Sequence, residues 1–253
     1  MWANFDLVGL IMIPFCARFI TFWTMAGLFA YMDHYYQTNH SQLFLEYKIQ
    51  GQEIINKGGI DWSKYQKTAK VALQNFIYQL YFMIFTFPLF YWRGISWSNS
   101  LLINNSLTFT VLQWLTIYII QQALFFYGHY SLHHRWFYKR IHKIHHQWIA
   151  PVACRAYYTH PIEHLINDIF PLWFPAVLFN LHPFYYTLWS IKMGFDTTRI
   201  HSGYRFWWCQ AEDHDEHHKY FSCNYGGLSI FDWLHGTRTI DFIKPKKLKI
   251  AKN

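Results

Sequence analysis

Histidines are concentrated in the second half of this chain, and their spacing constrains the fold more than any other feature. Fourteen of the 16 histidines lie between His129 and His235. Spacings of three and four residues place side chains on one face of a helix. Three groups have this spacing: His129 with His133, His142 with His145 and His146, and His214 with His217 and His218. Because imidazole is a ligand for Fe, Zn, Cu and Ni, these faces together predict a cage for more than one metal ion.

The composition indicates a membrane protein with a substantial polar part. Of the 253 residues, 53% are apolar and 22% aromatic, while only 14% are charged. Soluble domains carry about a quarter charged residues. The apolar residues form runs long enough to be membrane helices, and polar, histidine-rich stretches alternate with these runs.

The apolar runs predict an all-α, multi-span helical membrane protein with about three to four spans, a re-entrant hairpin and a histidine-rich helical cap. Residues 1–128 would hold the transmembrane helices, with a polar loop or short amphipathic segment at 33–70. Residues 129–253 would form the histidine-rich di-metal region. The first run would be a retained anchor, because the N-terminus has no basic region or cleavage site of a secretory signal. The predicted spans are Leu7–Met32, Val71–Trp92 and Leu107–Gly128, and the hairpin, with Pro171 and Pro175, is 165–193.

The net charge indicates which kind of surface the protein contacts. The formal net charge is +8, with basic residues in the histidine region and at the C-terminus. Beside membrane spans, this excess of basic residues favours a surface that faces the cytoplasm or the matrix and contacts anionic lipid. Nucleic-acid binding is the less favoured interpretation.

The four cysteines form no Cys-x-x-Cys pair, which argues against disulfides and zinc–thiolate sites. Arg18 inside the first run would either face the protein interior or mark an interfacial segment.

Ten histidines are candidate metal ligands, enough for two ions with nearly all-nitrogen coordination. Soluble di-iron bundles instead use Glu with Glu-x-x-His motifs, which this chain lacks. We expect structural roles for His134, His164 and His235. The ten candidates are His129, His133, His142, His145, His146, His160, His201, His214, His217 and His218.

Several segments of the chain resemble the membrane-bound fatty acid hydroxylase/sterol desaturase superfamily. The resemblance covers 125–237, and its order and spacing are most similar to the C4-methylsterol monooxygenase branch. The segments that carry it are Tyr138–His146, Ala150-Pro151, Ala156–Glu163 with its His-Pro-x-Glu, His201-Ser-Gly-Tyr204, His214–His218, Phe221, Asn224-Tyr225 and Phe231–Thr237.

The resemblance implies a helical membrane enzyme with a non-haem di-iron centre under a cytosolic cap. Such an enzyme uses O2 and electrons, commonly from cytochrome b5 and a reductase, to oxidise C–H bonds of membrane lipids. Zinc has no redox chemistry and could only replace iron in the purified protein. The endoplasmic reticulum is the expected location, with the mitochondrial inner membrane as the alternative. The resemblance carries over nine of the ten histidines as ligands, with His160 as the less certain tenth.

Other polar residues are candidates for supporting these ligands, and some neighbours depart from the family pattern. Carboxylates next to ligating imidazoles fix their tautomers. The candidates are Glu163, Asp196 and Asp215, with Tyr204 and Asn224 as packing or hydrogen-bonding supports. At four positions near the ligands, family members tend to carry other residues than this chain does. These positions are Gln122, Tyr130, Arg155 and Arg199. Because the ligands themselves are retained, we expect these departures to affect which substrate is bound more than whether metal is bound.

Two other functions stay open from the sequence alone. A catalytically silent subunit of a larger membrane complex could keep the fold, and perhaps a metal, without turnover. A hydrolase with two zinc ions is a weaker alternative, because no carboxylate is clearly placed as a general base. The sequence does not identify the substrate, the carbon oxidised or the electron donor.

Overall fold

The described part of the chain is entirely helical. The computed structural model describes residues 2–39, 41–102, 106–147, 151–209 and 211–239. A π-helical turn, His164–Ile169, and two 3-10 helices, His142–Gln147 and Ala153–Tyr157, supplement the α-helices. The α-helices are α1 Trp2–Thr38, α2 Gln42–Tyr47, α3 Gly51–Asn56, α4 Trp62–Trp92, α5 Leu107–Leu132, α6 Arg135–Arg140, α7 Pro161–Glu163, α8 Phe170–Leu178, α9 Pro183–His201, α10 Glu212–Tyr220 and α11 Ser229–His235. The predicted all-α membrane architecture is confirmed.

Two helices in the described ranges are long and apolar enough to cross a membrane, namely Val8–Thr38 of α1 and all of α5. The third predicted span lies within α4 but is less apolar, since α4 carries Asn75 and Gln79. Both amide side chains are buried, and Asn75 Nδ2 donates to the carbonyl oxygens of Tyr157 and Thr159 at 2.9 and 3.1 Å. These amides therefore serve contacts inside the protein.

Helix α9 packs along α1 over a long contact. Gly194 lies at their crossing, where an added Cβ would come within 3.0 Å of the Arg18 carbonyl oxygen. A larger residue would push the two backbones apart, so this glycine sets how closely α9 approaches α1. The crossing matters for the site because α9 ends at His201.

A second contact joins α1 and α4 to the 3-10 helix Ala153–Tyr157. The Phe22 and Tyr157 rings stack with centroids 4.5 Å apart, and Phe76 packs edge-on against both. Arg18 is fully buried beneath them. Its guanidinium donates to the Tyr157 hydroxyl and to the Asp168 carbonyl oxygen. Of the two positions expected for Arg18, the structure therefore shows the interior one.

The interval of the predicted re-entrant hairpin, 165–193, contains two helices, and the second of them continues to His201. The π-helical turn leads directly into α8, and a short turn precedes α9. Pro183 is the first residue of α9, a position where proline costs no hydrogen bond. His182 caps the same helix, since its Nδ1 accepts from the Phe184 backbone N–H at 3.1 Å.

The interval 33–70 differs from the predicted polar loop because most of it is helical. Helix α1 continues to Thr38, and α2, α3 and the first turns of α4 follow. Gly58 and Gly59 lie between α3 and α4, where both have positive φ. Lys48 anchors the interval to the protein interior, because its buried Nζ donates to Asp33 Oδ1 at 2.7 Å and to the Ser202 carbonyl oxygen at 2.8 Å.

Candidate metal centre

Nine of the ten predicted ligands meet in two groups next to each other at the cap end of the helices. In each group, the candidate ligand atoms all lie within 4.8 Å of one another. The five-histidine cluster contains His129, His133, His142, His146 and His217, and the four-histidine cluster contains His145, His201, His214 and His218. Each cluster combines histidines from at least three different elements of the fold.

The distances between ring nitrogens match those of ligands around a common ion. In the five-histidine cluster, His142 Nε2 lies 2.8 Å from His133 Nε2, 2.9 Å from His146 Nε2 and 3.1 Å from His129 Nε2. The four-histidine cluster has Nε2 separations of 2.8 to 3.4 Å. Nitrogens held ~2.05 Å from one ion are about 2.9 Å apart at right angles and about 3.3 Å apart in a tetrahedron.

Hydrogen bonds on the far side of three rings determine which nitrogen faces the centre. An Nδ1 that lies against a carbonyl oxygen must carry the proton, since the oxygen can only accept. Nδ1 donates to the carbonyl oxygen of Tyr225 from His129, of Cys223 from His217 and of Thr197 from His201, at 2.6 to 2.7 Å. The neutral rings then present a bare lone pair on Nε2, as a metal ligand requires.

Converging lone pairs cannot stabilise one another by hydrogen bonding. His129 Nε2 lacks a proton in this tautomer, and so does His142 Nε2, because His142 Nδ1 donates to Glu163. The two bare nitrogens nevertheless lie 3.1 Å apart. Each neutral imidazole has a single N–H, so a cation at the centre would stabilise such a group of rings. The donor set itself therefore fits a bound metal.

Burial keeps these imidazoles neutral. Loss of hydration lowers the pKa of His142 to about 3. Burial, with the positive charge of Arg155 as the second cause, lowers the pKa of His201 to about 3 as well. At neutral pH both rings are therefore available as ligands without first losing a proton.

Glu163 is the carboxylate that supports the five-histidine cluster. Its buried Oε1 accepts from His142 Nδ1 at 2.7 Å, the arrangement by which a carboxylate orients a ligating imidazole. Burial, followed by the negative charge of Asp168, raises the pKa of Glu163 well above its usual range. Its other oxygen, Oε2, has no hydrogen-bond partner among the described residues.

A small cavity of about 30 Å³ lies where the two clusters adjoin. His129 and His142 of the five-histidine cluster line it, together with His145, His201 and His214 of the four-histidine cluster. Glu163 and Asn167 add polar atoms to the wall. The volume suits one small molecule or the end of a larger one.

His160 and three of the supporting residues lie away from the two clusters. His160 caps α7, because its Nδ1 accepts from the Ile162 backbone N–H at 3.2 Å. Asp196 pairs with Lys192 and Arg199, while Asp215 accepts from Gln50 Nε2 at 2.8 Å. Tyr204 donates from its hydroxyl to Asp33 at 2.8 Å. Their predicted roles as ligand or direct support have no matching contact with a clustered imidazole.

Asn224 supports the centre through the backbone on either side of it. It adopts a positive φ of 50°, and its Nδ2 donates to the Asp213 carbonyl oxygen and to Glu216 at 3.2 Å. The neighbouring residues, Cys223 and Tyr225, supply the carbonyl oxygens that hold His217 and His129. Sequence reasoning missed these acceptors and that of Thr197, because every residue type carries a carbonyl.

Comparison with known proteins assigns the family. The family model for fatty acid hydroxylases matches residues 114–237, which include all nine clustered histidines. Fatty acid hydroxylase domain-containing protein 2 of Macaca fascicularis is 31% identical over 94% of this chain and 68% of its own length. A very-long-chain aldehyde decarbonylase of Oryza sativa subsp. indica is 30% identical over 77% and 75%.

A relative whose name refers to a methylsterol is also similar to this chain. Methylsterol monooxygenase 2-2 of Arabidopsis thaliana is 28% identical over 66% of this chain and 66% of its own length. No solved structure matches the chain. The resemblance seen in the sequence motifs is confirmed, and the chain belongs to the fatty acid hydroxylase family, a membrane-associated family of lipid-oxidising enzymes.

Proposed function

We propose that this chain is a membrane-bound, non-haem di-iron oxygenase that uses O2 to hydroxylate or oxidise a C–H bond of a sterol-like or fatty acyl lipid. The observation that carries the proposal is the pair of adjoining histidine clusters beside a transmembrane helix. Two iron ions, one in each cluster, would supply the redox chemistry that an unactivated C–H bond requires, and zinc could only replace them without activity. The overall reaction, R–H + O2 + 2 e⁻ + 2 H⁺ → R–OH + H2O, balances with an external two-electron donor.

Different residues of the chain would hold the ions, orient the ligands and exclude water. The two sets of Nε2 atoms hold the ions, and the backbone carbonyls and Glu163 fix the rings that present them. Burial excludes bulk water from the centre, since His217 and His142 are fully buried. Helix α5 crosses the membrane and ends with His129 and His133 at the clusters, so a lipid in the bilayer lies next to the oxidising site.

The electron donor would be a cytochrome b5-type protein with its reductase. Exposed basic residues surround the segment that carries His142 and His146, and an acidic donor could bind there. These residues are Arg135, Lys139, Arg140 and Lys143. We propose the endoplasmic reticulum membrane as the location, with the mitochondrial inner membrane as the alternative that microscopy of the tagged full chain would reveal.

The test combines metal analysis with turnover. Protein purified in mild detergent should contain two irons per chain and, with O2 and a reductant, should add one 18O atom from 18O2 to a sterol or acyl lipid. His217→Ala should lose iron and activity, and His160→Ala, the matched control outside the clusters, should keep both. Iron-free protein, or an iron-loaded protein that oxidises no lipid across a panel of fatty acids, fatty aldehydes and methylsterols, would overturn the proposal.

One observation favours a second candidate function, a catalytically silent subunit of a larger membrane complex. Burial is the main cause of the lowered pKa of His145, His214 and His218, and the positive charge of the buried Arg155 lowers these pKa values further. The same charge opposes a cation in the four-histidine cluster. Fewer than two metal ions per chain, together with co-purification in a stable multi-subunit assembly, would favour this function over the oxygenase.

A further inference from the structure

An apolar groove of about 500 Å³ lies along α5, next to the end of this helix that carries His129 and His133. Its wall on α5 runs from Ile120 to Ser131, about 16 Å along the helix axis. Outside the groove, the same helix exposes Leu112 and Leu115, which face lipid in a membrane. The lining residues are Ile120, Ala123, Leu124, Tyr127, Gly128 and Ser131 of α5, with Leu132, Phe137, Ile141, Ile162, Ile166 and Phe170.

The groove and the small cavity at the histidines come close to each other where Gly128 approaches Asn167. Gly128 belongs to the groove wall, whereas Asn167 belongs to the cavity wall. A Cβ added at Gly128 would lie 2.4 Å from Asn167 Oδ1 and 3.3 Å from Ile166 Cγ2. Two residues in contact therefore separate the two spaces, and the contact exists because residue 128 has no side chain.

Asn167 carries a polar atom that its surroundings do not satisfy. The residue is 5% exposed, and its Oδ1 has no hydrogen-bond partner among the described residues. That oxygen lies against the place where Gly128 lacks a side chain, at the boundary between groove and cavity. Because a buried carbonyl oxygen without a partner costs free energy, a ligand that donates a hydrogen bond here would be favoured.

We propose that the groove holds the hydrocarbon part of the lipid substrate, and that the Asn167 side chain, which closes the boundary against Gly128, moves aside to let the polar end of the lipid reach the cavity between the clusters. Asn167 Oδ1 then accepts from a hydroxyl or amide N–H close to the carbon that is oxidised. The substrate is therefore a lipid functionalised near the reacting carbon, rather than a chain oxidised in the middle of an unbranched hydrocarbon. This inference rests on the proposed oxygenase function for the turnover it describes, while the binding itself can be measured separately.

The first experiment measures binding without turnover. Full-length protein in mild detergent is irradiated with a diazirine-labelled hexadecanol, and the labelled peptides are identified by mass spectrometry. We expect labels on the groove residues Ile120, Leu124 and Ile162, with far less on the lipid-facing Leu112. Unlabelled hexadecanol should compete at least tenfold better than its methyl ether, which cannot donate a hydrogen bond. In Asn167→Leu, the two competitors should become equal.

The second experiment tests this boundary. Gly128→Ala places a methyl group against Asn167 and should lower lipid turnover at least tenfold, with iron content and groove labelling unchanged. Gly27→Ala is the matched control, because a Cβ at this helical glycine meets nothing within 4 Å, and it should behave as the wild type.

The outcomes separate the two proposals. Labels spread evenly over the lipid-facing helices, or a preference for the alcohol that survives in Asn167→Leu, would overturn the groove inference even if the enzyme oxidises lipids. Confined labelling and a lost preference, found in a protein that oxidises no lipid, would uphold the groove as a binding site and refute the oxygenase function.

Discussion

Glu163 offers a decisive test of how the five-histidine cluster is held. Its Oε1 accepts from His142 Nδ1 at 2.7 Å, which keeps the proton on Nδ1 and the lone pair on Nε2. In Glu163→Leu this acceptor is lost, and the ring gains an alternative tautomer in which Nε2 carries the proton and cannot bind a metal. Glu163→Gln retains an acceptor oxygen and should preserve the tautomer, although it removes the charge.

The expected magnitude follows from the role of such supporting groups. Their removal typically weakens metal binding 10–100-fold, which corresponds to about 1.4–2.7 kcal/mol. The four-histidine cluster makes no contact with Glu163 of this kind, since His201 is held by the Thr197 carbonyl oxygen. We therefore expect a two-step chelator titration, in which Glu163→Leu moves one step to weaker binding and leaves the other in place.

A chelator competition with iron counted per chain measures both steps. Asp196→Asn is the matched control, because this carboxylate pairs with Lys192 and Arg199 instead of an imidazole, and both steps should stay at their wild-type positions. Equal weakening of both steps in Glu163→Leu, or a titration identical to that of the wild type, would refute the assignment of Glu163 to His142. A shift in Asp196→Asn would show that the carboxylates act by charge alone.

Three further predictions concern stability. His160→Ala should retain both metal ions and lower the stability of the protein by about 1 kcal/mol, the usual cost of a lost helix cap, as measured by thermal unfolding in detergent. Arg18→Met should cost about 3–5 kcal/mol, because it leaves the buried Asp168 carboxylate, 3.9 Å from the guanidinium, without its cation. Ile20→Met on the exposed side of α1 should cost far less, and equal midpoints for these two variants would contradict the interior role of Arg18. Removal of metal by a chelator should lower the unfolding temperature of the wild type, since ligand binding to the folded state stabilises it, and an unchanged temperature would mean that the clusters hold together without ions.

The spacing of the histidines predicted most of the centre, but spacing alone cannot tell a ligand from a cap. His160 precedes a proline at the start of α7, and its Nδ1 is engaged by the Ile162 backbone. Asp196 lies five residues before His201 on α9, and five residues correspond to a rotation of roughly 140° around a helix. The carboxylate therefore points away from the imidazole that it was predicted to support.

The lengths of the apolar runs predicted the long helices of the fold but not its shorter elements. Those runs located the long helices because a span requires about 20 apolar residues. They could not show that the polar interval after α1 is largely helical, since short helices such as α2 and α3 are stabilised by tertiary contacts such as the Lys48–Asp33 pair. Nor could they show that the amides of α4 face inward.

The carbonyl groups behind His129, His201 and His217 have a consequence for how this region tolerates substitution. At Thr197, Cys223 and Tyr225, the part of the residue that holds a ligand is common to all amino acids, so replacement of the side chain leaves the acceptor in place. Insertion or deletion of a single residue between 218 and 225 would instead move two acceptors at once. A mutational scan should therefore find that this segment tolerates changes of side chain but not of length. At Asn224, whose backbone is left-handed, glycine should be the replacement of least cost.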